Sequence, residues 1–127
     1  MNVQKLFRDW EGVEEYEAGT VIFSEREAAE VMYVVLEGEV ELTVQGTSLG
    51  VEGEGGIIGE MAVIDSATRS ATATALSKVR LARLDREEFR KLVKKNPKFS
   101  LHAMAALANR LRAVDRFIST QSEPKGR

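Results

Sequence analysis

The chain has 127 residues, 43% of them hydrophobic and 30% charged, with a formal net charge of −2, which suits one small domain and leaves no room for a second large one. It holds no cysteine, so disulfides, thiolate catalysis and sulfur-ligated metals are excluded together. No apolar run approaches the ~18 residues of a membrane span, and the N-terminus lacks the basic-then-apolar profile of a secretory signal; a cytoplasmic location without membrane association is expected.

In chain order, Val3, Leu6 and Phe7 share one face at helical spacing and predict a short amphipathic helix over about 2–9, with Trp10 anchoring it to the body. From Gly12 to Leu84 short segments alternate with period two. The clearest sets Val40, Leu42 and Val44 against Glu39, Glu41 and Thr43, as antiparallel strands with one wet face require. Gly19, Gly38, Gly46 and Gly50 punctuate these segments at hairpin-like intervals. The expected fold is mainly β with flanking helices: an antiparallel jelly-roll β-barrel followed by C-terminal helices.

Composition changes at Asp85. Asp85 and Glu88 have the spacing of a helix N-cap and its acidic third position, and Phe89, Leu92 and Val93 form an apolar stripe, so a helix begins there. Pro97 disfavours a helical Asn96 yet suits the first position of a new helix, which makes Asn96-Pro97 a hinge between two helices. The second helix is expected over 98–119. One domain, residues 1–119, is thus followed by a disordered tail at 120–127.

Leu101, Met104, Ala108, Leu111 and Ile118 recur at heptad-like spacing on the last helix, flanked by Leu107 and Val114. That stripe is wider than packing on the chain's own body needs, and a homodimer through this helix is expected, although Asp115 and the short length argue against a sustained coiled coil. Charge is also segregated. Residues 1–89 hold 8 Lys/Arg and 18 Asp/Glu, a balance of −10, whereas residues 90–127 hold 10 and 2, a balance of +8. Such a basic end could meet an acidic partner or nucleic acid, or be a solvated helix face; without a groove-reading motif, DNA binding by this chain alone is not expected.

The most informative stretch runs Gly59-Glu60-Met61-Ala62 and then, after a short turn and loop, Arg69-Ser70-Ala71, with Gly53, Gly55 and Gly56 leading in. It sets one carboxylate and one guanidinium around an apolar turn, and glycines let backbone amides approach an anion closely. The pattern resembles the phosphate-binding cassette of cyclic-nucleotide-binding domains. The strand, glycine turn and strand of Tyr33-Val34-Val35-Leu36-Glu37-Gly38-Glu39-Val40-Glu41-Leu42 are similar to the same family, and the likeness covers roughly residues 13–118. One departure is Thr68, where many members carry proline before the arginine.

From charge and hydrogen-bonding capacity, Arg69 is the candidate cation for a cyclic phosphate, whose removal from water needs a cation and several donors. Amides at the start of the turn near Glu60 would add donors, as unpaired N–H groups at a helix start do. The carboxylate of Glu60 repels phosphate and suits a ribose hydroxyl, which is also the role the resemblance implies; its plainer role is a helix-start acid favoured by the dipole. Ala62, Ser70, Ala71 and Ala73 are small and leave room. Ser70 could donate to phosphate or meet the base, and Ala71 would offer an amide. Met61, Val63 and Ile64 read as packing beneath the turn, with Met61 at the edge of the site. The ligand-binding candidates are Gly59, Glu60, Met61, Ala62, Arg69, Ser70 and Ala71. Asn109, Arg110 and Arg112 could reach a purine from the last helix, but a solvated face is the plainer reading of each.

The resemblance implies a cyclic nucleotide ligand. Ser70 stands where a threonine is often associated with cyclic GMP, so cyclic AMP is the first expectation and cyclic GMP the second. Catalysis is not expected. His102 is the lone histidine and falls on the last helix, no nucleophile elbow appears, and Glu14-Glu15 and Glu87-Glu88 read as exposed charge. No cofactor is required. The chain reads as a sensor that turns binding into movement of its C-terminal helices and acts on an unknown downstream protein. The alternatives are an assembly module of the same fold with a vestigial pocket, or the sensor piece of a longer transcription regulator or channel.

Overall fold

The computed structural model describes residues 1–64 and 68–122. Helix α1 (Val3–Leu6) precedes six strands: β1 (Val13–Tyr16), β2 (Val21–Phe23), β3 (Val31–Glu37), β4 (Val40–Val44), β5 (Thr47–Glu52) and β6 (Ile57–Ile58). A one-turn helix α2 (Met61–Ile64), strands β7 (Thr72–Ala75) and β8 (Val79–Asp85), and helices α3 (Arg86–Lys95) and α4 (Pro97–Ser122) complete the order. The strands form two antiparallel four-stranded sheets, β1-β8-β3-β6 and β2-β7-β4-β5. The expected jelly-roll architecture is therefore present as two sheets rather than one ladder closed by hydrogen bonds among the described residues.

Two apolar clusters hold these layers, and strand parity divides them. Tyr33 and Val35 of β3, with Val79 and Leu81 of β8, face Val40, Leu42, Ala73 and Ala75 of the other sheet. Met32, Val34 and Leu36, with Ala82 and Leu84, face the opposite way onto Val3, Phe7, Leu92, Phe99 and Ala103 of the helices. Covered on both faces, β3 is a continuous apolar run rather than an alternating one. Phe99 is fully buried and meets Phe7, Phe89 and His102 with ring centroids 5.9–6.1 Å apart. Truncating such a ring to alanine typically costs ~3–5 kcal/mol, so this residue ties α1, α3 and α4 to one point.

The helix signals resolve individually. Asn2 caps α1, its side chain accepting from the Lys5 amide at 3.0 Å, and the helix ends at Leu6, shorter than the expected 2–9. Trp10 does anchor the segment, donating its indole N–H to the Arg83 carbonyl at 2.9 Å. Asp85 and Glu88 form a reciprocal capping box at the start of α3. Helix α4 starts at Pro97 and continues through Ser122, past the expected boundary at 119, while the tail at 123–127 lies outside the described residues. No described helix is long and apolar enough to cross a membrane.

Of the paired acids, Glu15 and Glu87 are exposed as expected, with only long surface contacts to cations, whereas Glu14 is partly buried. Glu14 meets Arg83 at 3.5 Å and accepts from the Tyr16 hydroxyl at 2.5 Å. Glu15 meets Lys78 at 3.8 Å, and Glu87 meets Arg90 at 3.8 Å. Burial, helped by Glu14, raises Tyr16 above the usual tyrosine pKa.

Two turns require left-handed backbone. Gln45 and Gly46 both have positive φ, 50° and 79°, as the two-residue hairpin joining β4 to β5 demands, and a Cβ on Gly46 would meet nothing within 4 Å. Gly38 has φ 87°, and its Cβ would lie 2.3 Å from the Lys78 carbonyl oxygen. Gly46→Ala is therefore expected to cost only the left-handed penalty, ~1–2 kcal/mol. Gly38→Ala must also displace backbone, and in urea denaturation it should lose at least ~2 kcal/mol more than Gly46→Ala.

Candidate functional site

The sequence between β6 and β7 must leave one sheet and join the other, and it does so through Gly59, whose φ is 71°. A Cβ on Gly59 would lie 2.4 Å from Nη1 of Arg69, so glycine here is what lets the guanidinium lie against the backbone. The residue after it, Glu60, opens the single turn of α2. Within that turn the amides of Ala62 and Val63 already donate to the carbonyls of Gly59 (3.2 Å) and Glu60 (3.1 Å), which removes two of the donors expected for an anion.

Arg69 is 8% exposed. Its Nη1 donates to the Val31 carbonyl at 2.7 Å and to the Gly59 carbonyl at 3.3 Å, and its guanidinium carbon lies 4.1 Å over the Phe23 ring. Phe23 in turn stacks on Tyr33 at 6.2 Å between centroids. Backbone fixes the residue as well: its amide donates to the Glu27 carbonyl, and its carbonyl accepts from the Arg26 amide. No carboxylate forms an ion pair with Arg69 among the described residues. Burial consequently pushes this guanidinium below the usual arginine pKa, partly opposed by the electrostatic influence of Tyr33, Glu27 and Glu60. A buried cation held by neutral acceptors and an aromatic face, with carboxylates acting only from a distance, has its charge less fully compensated than in a direct ion pair.

Glu60 is 7% exposed and has a partner that the expected ribose role did not include. Arg110, reaching in from the middle of α4, places Nη1 3.1 Å from Glu60 Oε1 and 3.4 Å from Oε2. Its Nη2 meets Glu52 of β5 at 3.3 Å and the Ile57 carbonyl of β6 at 2.5 Å. The solvated-face reading thus fails for Arg110, which bridges α4 to two strands and to the turn. It holds for its neighbours: Arg112 and Asn109 are exposed and bond to each other. Their one-letter context is alike, and helical phase separates them, since residues 109 and 112 point away from the direction in which residue 110 projects.

All seven candidates, Gly59, Glu60, Met61, Ala62, Arg69, Ser70 and Ala71, line one cleft, together with Phe23, Leu42, Thr68 and Arg110. Ala73 and Val63 are packed in the two cores instead, and the side chain of Ile64 lies outside the described residues. In this conformation the cleft encloses about 10 Å³, the room of roughly one water molecule. His102 stands apart, hydrogen-bonded through Nε2 to the Gly55 carbonyl at 2.5 Å. Among the lining residues Phe23, Leu42 and Thr68 are not among the seven sequence candidates, and Arg110, which the sequence offered only for a purine contact, meets Glu60 instead. No alternation marks Phe23 in the sequence, since Val21, Ile22 and Phe23 are all apolar.

Removing Arg110 strands a buried carboxylate. Arg110→Ala is expected to lower unfolding free energy by about 3 kcal/mol, whereas Arg112→Ala on the exposed face should stay within ~0.5 kcal/mol, both read by urea denaturation.

The family model described as "Cyclic nucleotide-binding domain" matches residues 13–96. The chain is 33% identical over 105 residues to the cyclic AMP receptor protein of Thermus thermophilus, covering 79% of this chain and 49% of that protein. It is 35% identical over 78 residues to the cGMP-dependent protein kinase egl-4 of Caenorhabditis briggsae, covering 61% of this chain and 10% of the kinase. A solved structure of the Thermus thermophilus catabolite activator protein matches with a TM-score of 0.73 at 30% identity, over 95% of this chain and 59% of that one. The chain spans about half the length of that receptor and a tenth of the kinase. With a buried cation and carboxylate around one turn, a two-sheet fold and this extent of family match, the chain belongs to the cyclic nucleotide-binding domain family.

Proposed function

We propose that the chain is a non-catalytic sensor whose ligand, cyclic AMP in the first instance and cyclic GMP in the second, occupies the cleft between the Glu60–Ala62 turn and Arg69. The observation that carries this reading is the buried Arg69 guanidinium, bound among the described residues only to carbonyl oxygens and an aromatic ring on the cleft wall. A cyclic phosphate supplies the anion that this cation lacks, and the desolvation that depresses its pKa favours an arriving negative charge. The Ser70 hydroxyl and the Ala71 amide are the accompanying donors, and Glu60 accepts from the sugar.

Admission of a nucleotide requires more than the present 10 Å³, so side chains at the cleft must move. Arg110 is the one that couples this motion to a helix. When a ribose hydroxyl donates to Glu60, the Arg110 contacts to Glu60, Glu52 and Ile57 readjust, and α4 shifts about the Asn96-Pro97 joint. The ligand moves the helix only to the extent that it binds one arrangement better, and couplings of ~1–3 kcal/mol are typical. Catalytic water activation forms no part of this reading, nor does a required cofactor. The setting is cytoplasmic, and the output passes to a further protein or to a further part of a longer chain. The closed cleft and the engaged Glu60 favour one alternative, an assembly module that has kept the fold and lost its ligand.

Isothermal calorimetry decides between them. The parent should bind cyclic AMP, and Arg69→Ala should weaken binding at least ~30-fold, the loss of about 2 kcal/mol expected when one partner of a desolvated charge pair is removed. Equal heats from parent and variant, or no heat from either with both cyclic nucleotides, would overturn the sensor reading.

We also assign α4 to a homodimer. Leu101, Met104, Leu111 and Ile118 are 55–70% exposed on it, so the stripe expected from the sequence is not consumed by packing on the body; the Val114 side chain lies outside the described residues. Parent chain should sediment as a dimer and Leu111→Glu as a monomer.

A further inference from the structure

Cations on this molecule fall into two populations. Those on the β1-β8 edge are neutralised across strands: Lys78 and Arg80 by Glu15, Arg80 by Glu37, and Arg83 by Glu14. At the helical end Arg90 meets Glu87 and Arg110 meets Glu60 and Glu52, but the lysines there form no such pairs among the described residues. Lys91, Lys94 and Lys95 of α3 are exposed and take part in no ion pair among the described residues, and the same holds for Lys5 of α1 and Lys98 of α4. Lys94 and Lys95 lie in the last turn of α3 and Lys5 in the last turn of α1, where a helix dipole favours them, but Lys91 and Lys98 have no such reason to gather.

The lysines are not spread over a flat surface. Lys91, Lys94 and Lys95 rim a groove of about 470 Å³ whose apolar floor is Trp10 and Leu92. Trp10 is half-buried and fixed in orientation by its bond to the Arg83 carbonyl and an edge-on contact with Phe7, ring centroids 5.2 Å apart. The acid on that rim, Glu88, is already engaged in the α3 capping box. A neighbouring cleft between α1 and the α3–α4 joint adds Lys5 and Lys98.

We infer that this face is a docking site for an acidic protein segment carrying one large apolar side chain. The apolar residue fills the groove against the Trp10 ring, while its neighbouring carboxylates meet the lysine rim, which supplies steering and register. A recessed floor accepts an inserted side chain and suits a membrane surface poorly, because neither Trp10 nor Leu92 protrudes. A rim of lysines, without the planar forks of arginine, has less to offer phosphate esters than carboxylates on a mobile chain. The charge segregation along the sequence thereby acquires a use distinct from the nucleotide cleft: the partner is drawn to the basic end and repelled by the acidic body.

Trp10 is the single tryptophan of the chain, so its emission reports on the groove directly. The intact protein is titrated with a synthetic peptide of alternating Asp and Glu around a central Phe, and with the same peptide bearing Ser in place of Phe. Saturable change in Trp10 emission with the first peptide is expected, about tenfold weaker with the second and with Lys91→Glu/Lys94→Glu/Lys95→Glu, and weakening as salt is added. These substitutions are on exposed positions, and a cooperative urea transition, at a midpoint lowered by the acids placed in the last turn of α3, shows that the variant is folded. No saturable response, an equal response from the triple variant, or stronger binding to phosphatidylserine vesicles or to a DNA duplex at the same salt would overturn the proposal.

Discussion

A guanidinium taken out of water and, among the described residues, given no carboxylate to pair with is the constraint on which the rest of this structure depends. Burial of an unpaired charge is costly, and the protein offsets that cost with two carbonyl oxygens and the face of Phe23 rather than with an acid. Each of these comes from a different strand or turn: Val31 opens β3, Gly59 follows β6, and Phe23 ends β2. Both sheets must therefore be in place before the cation has its environment. The fold and the cleft are one construction, in which the glycine at 59 is needed because any side chain there would occupy the space of the cation.

A second charge relation closes the same cleft from outside the sheets. Glu60 sits nine residues before Arg69 in sequence, yet its close cation comes from α4, fifty residues on. The acid therefore weakens as an electrostatic competitor for Arg69 and becomes a handle on the helix. This arrangement gives the two buried charges different work, one facing the cleft and one tethering α4, and it does so with three side chains.

Much of this was legible in the sequence, for identifiable reasons. The capping box at Asp85 and Glu88, the break at Asn96-Pro97 and the Gln45-Gly46 hairpin are local, so spacing alone carried them. The seven cassette residues came together because they are near one another in the chain and share the turn that α2 makes. What escaped was non-local. Strand β3 shows no alternation because helices cover one face and the second sheet the other. Phe23 joins the cleft only through the pairing of β2 with β7, and Arg110 only through the phase of a long helix lying against β5 and β6. Glu14 is partly buried beside Arg83 through the register of β1 on β8, while Glu15 stays exposed.

The position of Arg110 bears on where this domain ends as a physical unit. The family match closes at residue 96, at the joint between α3 and α4, whereas the counter-charge for Glu60 arrives fourteen residues later. A fragment excised at that match boundary would keep the sheets, the cleft wall and Arg69, and would leave an acid at the mouth with nothing to neutralise it. It would also lose Phe99, the ring on which α1, α3 and α4 converge. Homology boundaries and electrostatic boundaries differ here, and the smallest piece that retains a balanced cleft extends well into the final helix.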